Sequence, residues 1–231
     1  MKKKIIVLTG AGISAESGIK TFRDAEGLWE GHDIMQVASP QGFQSNPALV
    51  LDFYNQRRKQ LLSVAPNKAH ESLVALEAFF DVTIITQNID DLHERAGSKN
   101  VVHLHGELLK VRCTKNENLI IDWRTDLNLG DLSLTGEQLR PHIVWFGEQV
   151  PMLDRAIQLT QSADFLLIIG TSMQVYPAAG LIDFVPYGTP IYFIDPRPSI
   201  STNSFQNLSI IAKTAVSGVP ILVDDLIDTM R

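Results

Sequence analysis

The chain contains very little cysteine: Cys113 is the only one among its 231 residues. A single thiol can form neither a disulfide within the chain nor a zinc site built from several thiolates. Long apolar runs are missing as well. None approaches the length of a membrane span, and the run Ile5–Leu8, which follows a lysine cluster, is too short for a signal peptide. We therefore expect no membrane interaction, and one cysteine suits the reducing cytoplasm.

An excess of positive charge is also absent. The 20 Lys and Arg residues are outnumbered by 26 Asp and Glu residues, which gives a formal net charge of −6. Because the sequence has no long basic run, nucleic acid is not an expected partner. A hydrophobic fraction of 45% at this length is enough to bury a core without disulfides or metals. We expect a monomeric cytoplasmic protein, with one large domain or one domain and a small insert.

Short apolar runs predict buried strands, and their near-continuous branched side chains indicate a parallel sheet that is covered on both faces. The predicted strands are Ile5–Leu8, Val82–Ile85, Val101–Leu104, Ile143–Phe146, Phe165–Ile169, Ile191–Ile194 and Leu208–Ile211. The predicted helices are Pro47–Val64, Lys68–Phe80 capped by Asn67, Met152–Ser162 opened by Pro151, and Val219–Met230 capped by Ser217. This alternation predicts an α/β fold with a doubly wound, Rossmann-like sheet.

Two stretches break the alternation of strands and helices. Residues 31–65 hold a long helix but no convincing strand, and residues 111–140 are polar and dotted with leucine. We expect these two insertions to meet in a small second domain. The Rossmann-like domain would then consist of residues 1–30, 66–110 and 141–231.

A glycine turn follows the first predicted strand and fits the pattern G-x-G-x-x-A, from Gly10 to Ala15. Gly10 would make the tight turn, Gly12 would let the backbone approach a pyrophosphate, and Ala15 would allow close contact between helix and strand. Free N–H groups at a following helix would favour an anion. A tight turn without any ligand is the alternative interpretation.

A dehydrogenase would continue with a second strand that ends in an acidic residue about twenty residues later. The segment Gly27–His32 is no strand, so the pattern does not favour hydride transfer. Asp195, directly after Ile191–Ile194, is a better candidate for the ribose hydroxyls, and its charge would favour NAD over NADP. Alternatively, Asp195 is a turn residue before Pro196.

Several motifs follow one another along the chain. They are Gly10-Ala11-Gly12-Ile13-Ser14-Ala15-Glu16-Ser17-Gly18-Ile19, Thr21-Phe22-Arg23-Asp24, Thr86-Gln87-Asn88-Ile89-Asp90, His103-Leu104-His105-Gly106, Trp145-Phe146-Gly147-Glu148 and Gly170-Thr171-Ser172. Together they resemble the motifs of the sirtuins, the NAD-dependent protein-lysine deacylases, over almost the whole chain and in the same order. The resemblance implies NAD as co-substrate and acyl-lysine proteins or peptides as substrates.

The resemblance implies that His105 is the catalytic base that activates a ribose hydroxyl, since an imidazole can take a proton near neutral pH. His103, two residues earlier on a strand, is expected on the opposite face. Asn88, also expected to be catalytic, and Gln87 would orient ribose hydroxyls and water, and Asp90 with the Ile89 backbone would hold the nicotinamide carboxamide. The alternative for Asn88 and Asp90 is capping of a helix that follows them.

Further cofactor contacts are implied by the same resemblance. Phe22 and Arg23 would cover the cofactor, Ser14, Thr171 and Ser172 would contact phosphate or ribose, and Ala215 would lie by the adenine. The full set of predicted NAD-binding residues is Gly10, Ala11, Gly12, Ser14, Ala15, Phe22, Arg23, Gln87, Asn88, Ile89, Asp90, Gly170, Thr171, Ser172, Asp195 and Ala215.

Tyr54 and Arg57 lie three residues apart and share one face of the predicted helix. A hydroxyl and a guanidinium can bind a carboxylate together. The Y-x-x-R pattern resembles the sirtuin branch that removes succinyl, malonyl or glutaryl groups, and Ala38 matches the small residue that widens its acyl pocket. Deacetylation is expected too. A solvated basic helix face is the alternative for Arg57.

In the family, an extended peptide pairs its backbone with the segment that corresponds to residues 144–148 and with a loop near residues 171–177. The predicted substrate-binding residues are Ala38, Tyr54, Arg57, Val144, Phe146, Gly147 and Glu148.

Zinc is not expected in this chain. Sirtuins usually carry two C-x-x-C pairs between the His-Gly and Trp-Phe-Gly motifs, where this sequence has only Cys113. Apolar side chains in the same stretch, each worth roughly 1.5–3 kcal/mol when buried, are predicted to form a small core instead. They are Leu119, Ile120, Ile121, Trp123, Leu127, Leu129, Leu132, Leu134 and Leu139.

Two other functions remain open from the sequence. A mono-ADP-ribosyltransferase would use the same cofactor site, but Tyr54 and Arg57 indicate an acyl group to be recognised. A catalytically silent NAD sensor would not need Asn88, Asp90 and His105 together.

Overall fold

The computed structural model describes residues 2–20, 28–29, 31–201, 205 and 207–230. The strands are β1 Lys4–Thr9, β2 Leu28–Trp29, β3 His32–Asp33, β4 Asp81–Thr86, β5 Val101–His103, β6 Gly106–Cys113, β7 Ile120–Asp122, β8 Leu139–Ile143, β9 Phe165–Ile169, β10 Ile191–Ile194 and β11 Leu208–Ile211. The α-helices are α1 Ile34–Val37, α2 Pro40–Ser45, α3 Pro47–Ser63, α4 Lys68–Leu76, α5 Leu92–Ala96, α6 Leu153–Thr160 and α7 Ala215–Asp228. In this described part of the chain, no helix is both long and apolar enough to cross a membrane.

The main sheet contains six parallel strands in the order β5-β4-β1-β9-β10-β11. From β1 the chain moves outward to β5 and later returns to the other side of β1. The strand order therefore reverses between β1 and β9. In open α/β sheets, ligands bind outside the carboxyl ends of the strands at such a point. The predicted α/β, Rossmann-like class is confirmed.

Both faces of this sheet are buried. Ile5 and Val7 point to the face covered by α4 and α7, whereas Ile6 and Leu8 point to the face covered by α6 and the 3₁₀ helix Ala178–Phe184. A strand with two covered faces needs apolar side chains at every position. This explains why uninterrupted apolar runs predicted most of these strands.

A small antiparallel sheet with the order β7-β6-β8 follows the last outer strand on the β5 side. Helix α3 packs against it, and the shared core contains Leu51 from α3 with Val111, Cys113 and Leu139 from the strands. The two sequence insertions thus meet, as expected, although the exact domain boundaries stay a prediction. Strands β2 and β3 form a separate two-residue pair outside the main sheet.

The predicted strand Ile143–Phe146 was wrong. Strand β8 ends at Ile143 and pairs antiparallel with β6. The backbone N–H groups of Val144 and Phe146 donate instead to the carbonyls of His105 and Ala38, at 2.9 Å each. Of this run only Ile143 and Trp145 are buried, and loop contacts take the place of a parallel ladder.

The apolar residues predicted to replace zinc are divided between core and surface. Leu127 and Leu139 are buried, and Leu119, Ile121 and Trp123 pack against them. The prediction was wrong for four others, which are exposed: Ile120, Leu129, Leu132 and Leu134. Ile120 and Ile121 are neighbours on the short strand β7, where successive side chains point to opposite faces and only one face meets the core.

The helix boundaries differ most from the prediction at the start of α7 and the end of α4. Helix α7 begins at Ala215 after Thr214, so Ser217 lies inside the helix and does not cap it. The predicted start at Val219 would have placed Pro220 in the first turn, where proline is common. The helix instead tolerates Pro220 in its second turn, at the cost of one backbone hydrogen bond. Helix α4 ends at Leu76, before the predicted Phe80.

Asn67 caps α4 as predicted and also binds the glycine turn. Its side-chain oxygen accepts from the N–H of Ala69 at 3.0 Å, and His70 Nδ1 accepts from the Asn67 backbone N–H at 3.3 Å. Its Nδ2 donates to the Ile13 carbonyl at 2.8 Å and to Ser17 Oγ at 2.9 Å. One side chain thus connects the helix start to the segment that follows β1.

We expect Asn67→Ala to lower the free energy of unfolding by about 1 kcal/mol or more, because it removes an N-cap acceptor together with both ties to the turn. Asn67→Asp keeps the acceptor and loses only the amide donors, so its loss should be smaller. Urea denaturation of both variants measures the difference. Equal losses would show that the cap itself contributes nothing.

Candidate active site

A cavity of about 800 Å³ opens at the carboxyl ends of β1, β4 and β9, where the strand order reverses. Most of the residues predicted for cofactor and substrate lie in its wall. These are Gly10, Ala11, Gly12, Ser14, Ala38, Tyr54, Gln87, Asn88, Ile89, Asp90, His105, Val144, Phe146, Gly147, Glu148, Gly170, Thr171 and Ser172. Elements from both sheets therefore contribute to one site.

The floor of the cavity is formed by two glycine turns that touch. A Cβ on Gly12 would lie 2.6 Å from the Gly170 Cα, and a Cβ on Gly170 would lie 2.4 Å from the Ile13 nitrogen. Gly170 also has a φ of 62°, a conformation that favours glycine. The glycines are thus required by the contact between the turns after β1 and β9.

The predicted helix after the glycine turn was wrong. Two 3₁₀ turns, Ala11–Ile13 and Ala15–Ser17, stand in its place. The N–H groups of Gly10 and Gly12 donate to the carbonyls of Ile169 and Gly170, at 3.1 and 2.8 Å. These two amides hold the floor together, so they do not point from a helix end towards an anion.

Asn88, Ser14 and Asp90 form a hydrogen-bonded chain at the inner wall. Asn88 Nδ2 donates to Ser14 Oγ at 3.2 Å, and Ser14 Oγ donates to Asp90 Oδ2 at 2.9 Å. The other Asp90 oxygen accepts from the N–H of Leu92 at 3.1 Å, so Asp90 also caps α5. Burial raises the pKa of Asp90 to about 6, although the bonds from Leu92 and Ser14 oppose this shift.

His105 is held by a backbone carbonyl. Its Nδ1 lies 2.9 Å from the Gln87 oxygen, which can only accept, so Nδ1 of the neutral ring carries the proton and Nε2 keeps its lone pair. Burial lowers the pKa of His105, and the bond to Gln87 only partly offsets this. His103 is turned away, as expected, and bonds to Asn88 O and to Glu94.

Gln87 and Asn88 follow β4, the second strand of the main sheet, where a dehydrogenase would have its acidic residue. Gln87 Nε2 donates to Thr171 Oγ1 at 3.1 Å and so reaches from the end of β4 to the turn after β9. The amide side chains replace a carboxylate at this position, which agrees with the expectation that the site does not serve hydride transfer.

Some predicted cofactor residues lie elsewhere. Within the described residues, the cavity wall does not include Ala15, Asp195 or Ala215. Asp195 is buried and its Oδ1 accepts from the N–H of Arg197 at 2.8 Å, which is the behaviour of a turn residue. Phe22 and Arg23 lie outside the residues that the structure describes.

The far end of the cavity is aromatic. Tyr54 is fully buried, and its hydroxyl accepts from the indole N–H of Trp145 at 2.9 Å. Trp29 packs edge-on against Tyr54, with ring centroids 6.3 Å apart. Arg57 lines a smaller adjoining cavity of about 50 Å³, which shares Asp90 and other wall residues with the large one.

Several wall residues had not been predicted. Trp145, Arg197 and Ser199 line the cavity, whereas the lining segment from Gln174 to Pro177 belongs to the loop that was expected near the peptide. Trp145 stands inside a motif that the sequence had already marked, so its neighbours could have indicated it. Arg197 and Ser199 follow β10 at the same edge of the sheet as Asp195, and only the fold shows that this loop borders the site.

A model of the Sir2 family matches residues 10–177. The chain belongs to the Sir2 family. It is 58% identical to an NAD-dependent protein deacylase of Helicobacter pylori over 98% of both chains. Among solved structures, a Sir2 homologue in complex with NAD has a TM-score of 0.88 and 39% identity, over all of this chain and 91% of that one. A Sir2 complex with a p53 peptide and NAD has a TM-score of 0.79 and 29% identity, over 97% of this chain and 93% of that one.

This Sir2 family chain has no cluster of three or more His, Cys, Asp or Glu residues that could hold a metal, as far as residues 2–20, 28–29, 31–201, 205 and 207–230 are concerned. Cys113 lies in the apolar core of the small sheet, and its Sγ accepts from the N–H of Lys115 at 3.4 Å. The lack of zinc stays a prediction.

We expect purified protein to contain far less than one zinc per chain, because one thiolate cannot build a tetrahedral site. Elemental analysis measures the metal content, and incubation with a chelator tests whether NAD turnover depends on it. Stoichiometric zinc together with activity lost to the chelator would contradict the prediction.

Proposed function

We propose that this Sir2 family chain removes acidic acyl groups, such as succinyl or malonyl, from protein lysines, and acetyl groups as well. Its family and its relatives make it an NAD-dependent protein deacylase. The acyl preference is what the proposal adds. It rests on one observation: Tyr54 lines the large cavity, and Arg57 lines the small cavity that adjoins it.

The large cavity fits NAD in size and chemistry. About 800 Å³ lies within the usual range for ligand sites. Gly10, Gly12 and Gly170 of the floor present backbone without side chains, and none of them has room for a Cβ. When bound, NAD supplies a ribose that releases nicotinamide and receives the acyl group. Asp90, with a pKa of about 6, is mostly ionised at neutral pH and can accept from the nicotinamide amide.

His105 is suited to be the general base. Its Nδ1 is occupied by the Gln87 carbonyl, so Nε2 is the basic atom on a ring that lines the cavity. Its lowered pKa keeps the ring neutral at pH 7. Asn88, two residues past β4, is oriented by donating to Gly10 O and Ser14 Oγ, and its amide oxygen can position a ribose hydroxyl or a water.

The acyl end of the site offers a neutral donor and a cation. Burial raises the pKa of Tyr54, while its hydrogen bond with Trp145 and the charges of Arg140 and Arg57 oppose the shift. Tyr54 therefore keeps its proton and can donate it to a carboxylate. The Arg57 guanidinium lies over the Phe53 ring at 3.7 Å, and its Nη1 donates to the Phe53 carbonyl at 2.6 Å. Ala38 adds little bulk to the wall beside Tyr54.

The protein substrate would bind along residues 144–147. This segment continues β8 beyond its last ladder bond and lines the cavity. Backbone pairing of an extended peptide suits such a position and reads little of the peptide sequence. The Sir2 complex with a p53 peptide supports peptide binding in the family.

We expect kcat/KM for acyl transfer to rise with pH and to level off, with the midpoint of the rise below pH 6.5. The base must be neutral, and the pKa of His105 is lowered from 6.5. His105→Ala should reduce turnover by about 10²–10⁴-fold and remove the part of the rise that belongs to the base, so that only the ionisation of Asp90, with a pKa of about 6, remains. His103→Gln is the control, since His103 faces Glu94, and it should leave the midpoint in place. A midpoint above pH 6.5 would argue against His105 as the titrating base.

The acyl preference is tested with Arg57→Met, NAD, and matched succinyl-lysine and acetyl-lysine peptides. We expect desuccinylation to fall by roughly 10- to 100-fold, since hydrogen bonds to charged groups contribute about 1.5–3 kcal/mol, and deacetylation to change little. Lys59→Met is the matched control, because Lys59 lies two residues on and its amine bonds to Asp126 at the surface.

Mass spectrometry of the products separates the possible reactions. Acyl-ADP-ribose indicates deacylation, ADP-ribosylated protein indicates ADP-ribosyl transfer, and neither product indicates an NAD sensor. Equal losses of both deacylations in Arg57→Met would remove the carboxylate-binding role from Arg57.

A further inference from the structure

The hydroxyl of Tyr54 is oriented by a neighbouring side chain. An indole N–H can only donate, so the Tyr54 oxygen accepts from Trp145 at 2.9 Å, and the hydroxyl proton must point away from the indole. Both side chains are buried. Trp145 therefore decides in which direction Tyr54 can donate.

Trp145 is in turn held at two points. The Arg140 guanidinium lies over the indole ring, 3.4 Å from its centroid, and the Trp145 backbone N–H donates to Glu148 Oε2 at 2.8 Å. Arg140 Nη2 also donates to the Ile143 carbonyl at 3.0 Å, just before this segment leaves β8. The ring and the backbone of Trp145 are thus fixed by one ion pair.

Glu148 is the centre of this arrangement. Its Oε1 accepts from Arg140 at 2.6 Å, and its Oε2 accepts from Arg140 and Arg112 at 3.1 Å each, besides Trp145. A carboxylate has about four acceptor positions, so these bonds use its capacity. Burial raises the pKa of Glu148, but the bonds from Arg140 and Trp145 outweigh it and leave the pKa lowered. Any contact of Glu148 with substrate would therefore involve its backbone.

The two arginines stand directly opposite each other on neighbouring strands. Arg112 on β6 pairs with Arg140 on β8 in the antiparallel register, and both side chains are at most a tenth exposed. Like charges opposite each other are destabilising, and buried charges are costly unless they are paired. Glu148 lowers this cost, because one carboxylate bridges both guanidinium groups.

From this geometry we propose that Glu148 is a positioning residue for acyl selectivity: bridged to Arg112 and Arg140, it holds Trp145 so that the indole fixes the Tyr54 hydroxyl towards the acyl carboxylate. Through these contacts, the positions of β6 and β8 in the small antiparallel sheet determine where Trp145 lies at the acyl end of the cavity. The link to an acidic acyl group rests on the proposed function, whereas the link between Glu148 and Trp145 does not.

Trp145→Phe tests the first link, because it removes the N–H and keeps a ring under Arg140. We expect the ratio of kcat/KM for succinyl-lysine to that for acetyl-lysine to fall roughly tenfold, mainly through KM for the succinyl peptide. Trp123→Phe is the matched control: its indole donates to the Asp126 carbonyl at 3.2 Å, away from the cavity wall, and the ratio should not change. Tyr54→Phe is measured alongside. If Tyr54→Phe lowers the ratio and Trp145→Phe leaves it unchanged, the inference is overturned and the proposed function is unaffected.

Glu148→Gln tests the second link independently of any acyl group. The chain has three tryptophans, so its ¹H–¹⁵N spectrum should contain three indole signals that Trp→Phe variants can assign. We expect the Trp145 signal to move in Glu148→Gln and the Trp123 signal to stay. If Glu148→Gln does not fold, Arg112→Lys, which keeps the charge, replaces it. A Trp145 signal that does not move overturns the inference, even if the wild-type protein shows no desuccinylation and the proposed acyl preference is wrong.

Discussion

The close contact between Gly12 and Gly170 is the constraint on which the site depends. The strand order reverses between β1 and β9, and the turns after these strands approach until neither glycine has room for a Cβ. This contact closes the floor of the cavity and fixes where Thr171 stands relative to Gln87. A side chain at either glycine would push the two turns apart, and with them the groups that the main sheet brings together.

The side chains proposed as general base and orienting amide are positioned by a pair of parallel strands. Thr86 on β4 pairs with His103 on β5, and two residues further along each chain stand Asn88 and His105. Just past these paired residues, the backbone N–H of Leu104 donates to the Thr86 carbonyl. The ring Nδ1 of His105 bonds to the next carbonyl along the chain, that of Gln87. Base and amide are thus set by backbone register, which needs no ligand to form.

The sequence predicted the strands whose two faces are both buried. It did not predict residues whose burial depends on a charged partner far away in the chain. Strands such as Phe165–Ile169 are covered on both faces and stand out as apolar runs. Strand β6 was missed, because Glu107, Lys110 and Arg112 interrupt its pattern. Arg112 is buried only because Glu148, 36 residues later, binds it, and no local pattern contains such a partner. The motifs marked the residues proposed to be catalytic, but the role proposed for Trp145 required the fold.

The proposed acyl selectivity and the stability of the fold both depend on the small sheet. The core of this sheet contains Cys113 and apolar side chains instead of two pairs of thiolates. The buried ion cluster of Arg112, Arg140 and Glu148 is therefore a main polar connection between β6, β8 and the segment that lines the cavity. Removing Glu148 would leave two buried positive charges without their shared carboxylate, which is costly, whereas the intact cluster need not add stability. The cluster is therefore better explained by the position that it gives to Trp145 than by the energy that it contributes.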